Sequence, residues 1–460
     1  MKKLGITRTV FLGLLILVLN SCVKEIDDYI EPNISNAPIT NINSLQIPGN
    51  FDFTIDKKCS VSIQIKGNDG LPLSNVIVEL YNTEKGNGGS LIFKGVTNVN
   101  GYISGSIRVL KSLTQLPLYI DHIDFADAVT IPIVSNSVSV VIEGSNSNRQ
   151  KASLQNPTIN SHNNFASKSN GILDSDGDGI VDENDDYPND ALLAFNNFYP
   201  SQNTYGHIAF EDLWPYRGDY DMNDLIVGYR YNTIKNSNND VVAIQSSLYV
   251  KSVGGSYING FGFELPIDPN DISMVIGSNL QEGYINLNSN ATEAGQSKAV
   301  IIAFDNALNL APRPQGYYVN TQIGSPIVVS DTIKITAWLT HPISSSAIGD
   351  APFNPFMISN KRRGYEIHLP NMPPTNLADQ SLFNTGNDKT NIALNRYYLS
   401  DKNIPWALNI PDEYPIVIEK AQIIEAYLKF QNWAQSGGVI NADWYKDFPG
   451  YRNTSKLLFR

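Results

Sequence analysis

The sequence predicts a mainly β protein, with a small sandwich first, a larger β-rich domain behind it and one amphipathic helix near the C-terminus. Three observations predict this. Short runs alternate apolar and polar residues, as in Val61-Ser62-Ile63-Gln64-Ile65 and again from Leu225 to Tyr231. That period of two marks half-buried strands. Clusters of Asn, Ser, Gly and Pro punctuate the runs as turns and loops. One stretch, Ile416 to Ala434, breaks the pattern with helical spacing. At 460 residues the chain exceeds one comfortable core, so two or three folded units are expected.

Residues 1–21 read as a lipoprotein signal peptide. Lys2, Lys3 and Arg8 give a basic start, and Val10 to Leu19 is an apolar run too short to span a bilayer comfortably as a helix. Leu19-Asn20-Ser21-Cys22 resembles the bacterial lipobox, which implies lipidation of Cys22. Several acyl chains would anchor it stably, at about 0.8 kcal/mol per buried CH₂. Lys24-Glu25-Ile26-Asp27-Asp28 resembles the surface-export signal of Bacteroidetes lipoproteins. The implied location is the bacterial outer membrane, lipid-anchored, at the cell surface. With Cys22 acylated, Cys59 has no intrachain partner and no disulfide framework can form.

Residues 22–50 are polar and proline-dotted, a tether. From 51 to 145, alternation at Val61–Ile65, Val76–Leu80, Ile103–Val109 and Val138–Ile142 suggests about seven short strands. Asn100-Gly101 suits a tight hairpin turn. Gly70-Leu71-Pro72-Leu73-Ser74-Asn75-Val76, with Thr97 to Gly101, resembles the carboxypeptidase-regulatory or transthyretin-like sandwich class, close to an Ig-like fold. Residues 146–170 form a Ser/Asn-rich linker. Residues 191–460 are strand-rich again and are expected to form a larger, jelly-roll-like sandwich. Its helix should run from Pro415 to Gly437-Gly438, with Glu425 and Lys429 as an i,i+4 pair.

Residues 171–190 carry the sharpest chemistry. From Asp174 to Asp185, oxygen-bearing side chains fall at loop positions 1, 3, 5, 9 and 12, with glycine at position 6. Calcium needs six to eight oxygens at about 2.3–2.6 Å. Alternate residues of a curled loop point inward, so Asp174, Asp176 and Asp178 can converge. The carbonyl of Ile180 can add a ligand, Asp182 can bind directly or through water, and Asp185 can close the sphere. The spacing resembles the EF-hand loop. Without flanking helices, and with Asp185 in place of Glu, it resembles a thrombospondin type 3 repeat more closely. Calcium is the expected cofactor.

A second acidic cluster follows. Glu211 and Asp212 precede Asp219, Asp221, Asn223 and Asp224; Asp219, Asp221 and Asn223 repeat the alternate-oxygen spacing of a calcium loop's first half, and Asp224 adds another oxygen. These six residues are a second candidate cation site. The run Ala209-Phe210-Glu211-Asp212-Leu213-Trp214-Pro215, with Gly218 to Leu225, resembles the LruC-domain family. So do Asn259 to Phe263, Pro405 to Leu408 and Trp433 to Gly438, and the resemblance covers about 190 to 460. It implies a bacterial envelope lipoprotein and no defined activity.

The net charge of -12 argues against nucleic acid, since a negative surface repels phosphates. None of the five histidines, His122, His162, His207, His341 and His368, makes an H-E-x-x-H pair. G-x-S-x-G, phosphate-loop and dinucleotide patterns are also missing, so enzymatic activity is not expected. A surface binding or adhesion protein with a protein or glycan ligand is expected. Carbohydrate binding through exposed Trp or Tyr rings is the alternative, and a glycan- or peptide-cleaving hydrolase the second.

Overall fold

The computed structural model describes residues 39–125, 128–144 and 173–460. The expected signal peptide, Cys22, the expected export signal and the expected linker at 146–170 lie outside them. Alternation in the sequence becomes burial in the first strand. In β1 (Asp56–Lys66), Cys59, Val61, Ile63 and Ile65 are buried, while Lys58, Ser60 and Ser62 are exposed. Six more strands follow: β2 (Ile77–Tyr81), β3 (Leu91–Val96), β4 (Tyr102–Leu110), β5 (Gln115–Asp121), β6 (Val129–Pro132) and β7 (Ser137–Glu143). They form two sheets, ordered β4-β1-β7 and β3-β2-β5-β6. The β1–β4 pair is antiparallel and the β1–β7 pair parallel. Val78, Leu80, Phe93, Ile107, Leu118 and Val138 fill the core between them.

Asn100-Gly101 forms a tight turn but not a hairpin. Gly101 has φ 72° and its N–H donates to Asn98 O at 2.8 Å. The strands on either side belong to different sheets, because β1 pairs with β4 from Gln64 to Asp56.

The larger part contains β8 (Phe195–Tyr199), β9 (Gly206–Phe210), β10 (Leu225–Lys235), β11 (Val241–Ser252), β12 (Gly260–Glu264), β13 (Ile272–Ile276), β14 (Val300–Phe304), β15 (Ile333–Ile343), β16 (Asn354–Ile358), β17 (Glu366–His368), β18 (Ala407–Ile410), β19 (Ile416–Val417) and β20 (Leu457–Leu458). A seven-stranded sheet runs β13-β15-β11-β10-β9-β18, with β8 added on β10. A four-stranded sheet, β14-β12-β16-β17, shares a core with it through Phe210, Val227, Tyr229, Phe261 and Phe304. The chain is mainly β, with sheets packed face to face.

The seven-stranded sheet is covered on its other face as well. Leu225, Val227 and Tyr229 belong to the inter-sheet core, whereas Ala209, Ile226, Leu408 and Ile410 join a second core. This explains why β9 and β10 are so continuously apolar. The second core contains residues from both ends of the described chain. Ile42, Leu45, Ile47, Phe51, Phe53 and Ile55 pack with Tyr427, Phe430, Trp433 and Trp444. The expected tether therefore does not extend to residue 50. Its apolar residues are too sparse to show a period, yet Ile42, Leu45 and Ile47 are buried, and Phe51 meets Trp433 edge-on at 5.0 Å.

The expected helix from 416 to 434 is broken into β19 and two short helices, Ile423–Ala426 and Phe430–Gln435. The reason is burial on all sides. Ile416 with Val417, Ile423 with Ile424, and Ala426 with Tyr427 are adjacent apolar pairs, all buried, which no single helix face can serve. Backbone groups are used elsewhere: Lys420 N–H donates to Asp221 Oδ2 at 2.9 Å and Ile423 N–H to Tyr220 O at 2.8 Å. Glu425 pairs with Lys456 rather than Lys429, at 3.3 Å. The glycine stop is as expected, with Gly438 N–H donating to Trp433 O at 2.9 Å. Trp214, Trp406, Trp433 and Trp444 are fully buried, so these rings are closed to a sugar, and Trp338 alone of the five is partly exposed. Among the described residues no helix is long and apolar enough to cross a membrane.

Candidate metal centres

The first acidic loop sits where the small sandwich meets the large domain. Ile180 is buried with Ile77 and Val96 of the sandwich and Ala194 and Phe195 of the large domain. Lys94 Nζ reaches Asp186 Oδ1 at 2.7 Å across the same seam. Two asparagines complete it by imitating a strand beside the free edge of β3. Asn197 accepts from Lys94 N–H and donates to Lys94 O, and Asn239 does the same for Val96. An edge strand's unpaired backbone groups are thereby satisfied.

Within the loop, Gly177 and Gly179 adopt φ 79° and 97°, conformations the curl requires and glycine tolerates. Their N–H groups donate to Asp174 Oδ1 and Oδ2 at 2.8 and 3.2 Å. Asp178 N–H donates to Asp176 Oδ1, Ile180 N–H to Asp178 Oδ1 and Tyr187 N–H to Asp185 Oδ1. In all three acceptors the second oxygen is buried without a partner: Oδ2 of Asp176, Asp178 and Asp185. Ligand oxygens of Asp174, Asp176 and Asp178 lie within 4.8 Å of one another.

Burial, then Asp178, Asp176 and Asp186, push the Asp185 carboxyl up to about 6 against the Tyr187 N–H. Burial and the neighbouring Asp176 and Asp174 raise Asp178 too, against the Ile180 N–H. Crowded carboxylates, each with one buried oxygen that lacks a donor, fit a hard divalent cation. Both oxygens of Asp182 accept from Ser175, from N–H and Oγ at 2.7 Å each, as both oxygens of Asp174 accept from the two glycines.

The second cluster lies in the loop between β9 and β10. Ligand oxygens of Glu211, Asp219 and Asp221 come within 4.8 Å of one another. Glu211 is fully buried; Oε1 accepts from Met222 N–H at 2.8 Å and Oε2 has no partner. Gly218 makes room for it, since a Cβ there would sit on Oε2. Tyr220 and Met222 hold φ 62° and 53°, a conformation disfavoured for bulky residues, and both side chains are anchored in the second core. Burial raises the carboxyls of Glu211, Asp221 and Asp224 well above the usual range, and the strongest neighbouring charges on all three are negative.

Asp212 and Asp224 form the other side of the cluster. Asp212 N–H donates to Asp224 Oδ2 at 2.9 Å, and Asp212 Oδ2 accepts from Asn259 at 3.0 Å. Asn223 braces: its amide donates to Val417 O at 2.9 Å and its Oδ1 faces Gly254. Sequence reasoning missed Glu419. It is half-buried and raised first by burial and then, against its bond from Thr321, by Asp219, while Lys420 offsets it. It adds negative charge against Asp221 and Asp224. No local pattern connects it to residues two hundred positions earlier. His368 is buried, with Nδ1 at 2.7 Å from Asn354 Oδ1 and Nε2 at 2.9 Å from Glu366 Oε2, a setting that suits a structural role.

Two family models match the chain. One, described as a domain of unknown function, DUF4842, matches residues 239–445. The other, described as a domain of unknown function, DUF8469, matches residues 57–142, the span of the small sandwich. Both acidic loops fall between the matched stretches, and Glu419 falls inside the first. No curated protein matches the chain. Among solved structures, a Bacteroides ovatus protein described as a candidate lipoprotein is 16% identical, with a TM-score of 0.47 over 83% of this chain and 99% of that one. The major pilin subunit BcpA of Bacillus cereus is 9% identical, with a TM-score of 0.14 over 66% and 65% of the two chains.

Proposed function

We propose that this chain is a lipid-anchored protein of the bacterial outer membrane, displayed at the cell surface, where it binds or adheres through modules that calcium holds in fixed relation. The carrying observation is the convergence of carboxylates with buried, unpartnered oxygens in the loop at the seam between two folded parts. Calcium there would bind Asp174, Asp176, Asp178 and Asp185 and lock Ile180 into its cluster. A second calcium would bind Glu211, Asp219 and Asp221. The thrombospondin type 3-like spacing supports the first site, and an LruC-type reading of 190–460 supports an envelope setting. The ligand is a protein or a glycan. The role of calcium is structural: it stiffens the junction before the large domain.

Limited proteolysis and thermal melting, with saturating calcium and then with a chelator, test this reading. Protection of 173–190 and a higher melting temperature in calcium are expected. Identical cleavage and melting in both conditions would overturn it.

A further inference from the structure

We propose that Glu419, carried by the strap between β19 and the helix at Ile423, is a ligand of the second cation, so that this cation clasps the strap and the N-terminal segment seated on it. The proposal rests on the reading that Glu211, Asp219 and Asp221 hold a cation.

The strap is stitched to the acidic loop through backbone. Lys420 N–H donates to Asp221 Oδ2 at 2.9 Å, Ile423 N–H to Tyr220 O at 2.8 Å, and Asn223 Nδ2 to Val417 O at 2.9 Å. Lys420 takes φ 66°, kinking the strap directly after Glu419. Thr321 fixes Glu419 from the other side: its carbonyl accepts Glu419 N–H at 2.9 Å and its Oγ1 donates to Oε2 at 3.1 Å. Glu419 thus directly precedes the residue whose N–H bonds Asp221, and its charge adds to those of Asp212, Asp219, Asp221 and Asp224. These like charges repel one another, and a shared cation would attract each of them and outweigh that repulsion. The independent sign of a ligand is Glu211, fully buried, with Oε2 unpartnered in the space Gly218 leaves open.

The strap and the helix behind it hold the start of the described chain by glutamine side chains. Gln422 Oε1 accepts from Ile42 N–H at 2.8 Å, Gln431 Oε1 from Ile39 N–H at 3.1 Å and Gln435 Oε1 from Gln46 N–H at 3.2 Å. Cation, strap and N-terminal segment therefore form one connected unit, separate from the junction loop.

Calcium titration calorimetry and amide hydrogen exchange on the full chain test the proposal, in an Asp176→Asn background that removes the junction site. Glu419→Gln is expected to weaken the remaining calcium site by about tenfold or more. Calcium should slow exchange over 417–423 and 39–47 in the parent and do so less in the variant. Loss of binding with Glu211→Gln, but unchanged affinity and exchange with Glu419→Gln, overturns the proposal alone. If Glu211→Gln also leaves calcium binding untouched, the cation reading of the cluster fails and the proposal with it.

Discussion

Asp178→Asn should change the sign of its effect with the cation. In chelator the junction loop holds Asp174, Asp176 and Asp178 together with no cation between them, and burial, then like charge, raise the Asp178 carboxyl. Asn keeps the acceptor for Ile180 N–H, at 2.8 Å in the parent, and removes one charge. The variant should therefore be as stable as the parent or slightly more stable without calcium. With calcium at about a hundred times its dissociation constant, binding stabilises the parent by about 2.7 kcal/mol. Losing one carboxylate should weaken binding by about ten- to a hundredfold, which removes roughly 1.3–2.3 kcal/mol of that. For a cooperative unit of about 150–250 residues that shifts the melting temperature by about 3–9 °C. Calorimetric melting of parent and variant in both conditions is the assay. A variant destabilised equally with and without calcium would refute the reasoning, because the carboxylate would then serve the fold and not a cation.

Three further perturbations follow from the same geometry. His207 is buried, with Nδ1 at 2.7 Å from Asp412 O and Nε2 facing Tyr249 Oη and Lys251 Nζ. Burial, then the Lys251 charge, lower it to about 3; the unfolded chain takes up this proton near pH 6.5 while the native one refuses it. Stability should thus fall as pH drops from about 6.5 toward about 3, by at most about 1.4 kcal/mol per unit, and His207→Gln should flatten that slope by one proton in urea titrations across pH. Ile180→Ala empties a site shared by both sides of the seam and should cost about 2–5 kcal/mol, with new protease cleavage at 173–190. Phe51→Ala removes the ring against Trp433, should cost about 3–5 kcal/mol, and should expose residues 39–55 to protease before the rest of the chain unfolds.

What the sequence discloses follows the range of each interaction. Alternation in β1 is local, and Cys59, Val61, Ile63 and Ile65 are buried as the pattern requires. Both acidic loops are legible because their oxygens lie two residues apart, so spacing alone brings Asp174, Asp176 and Asp178, or Asp219 and Asp221, together. Glu419 was not legible, because only the fold places it there. The misread helix at 416–434 shows the converse. Its apolar spacing matched a helix, but the two-sided burial of Ile423 and Ile424 is a tertiary fact. The N-terminal segment failed for a third reason: Ile39, Ile42 and Gln46 dock through glutamine side chains nearly four hundred residues away.

Calcium counted per chain tests the central claim most directly. Equilibrium dialysis of the full chain against calcium should give two bound ions, one lost in Asp176→Asn and the other, independently, in Glu211→Gln. An unchanged count in both variants, or no bound calcium at millimolar concentration in the parent, would contradict the account.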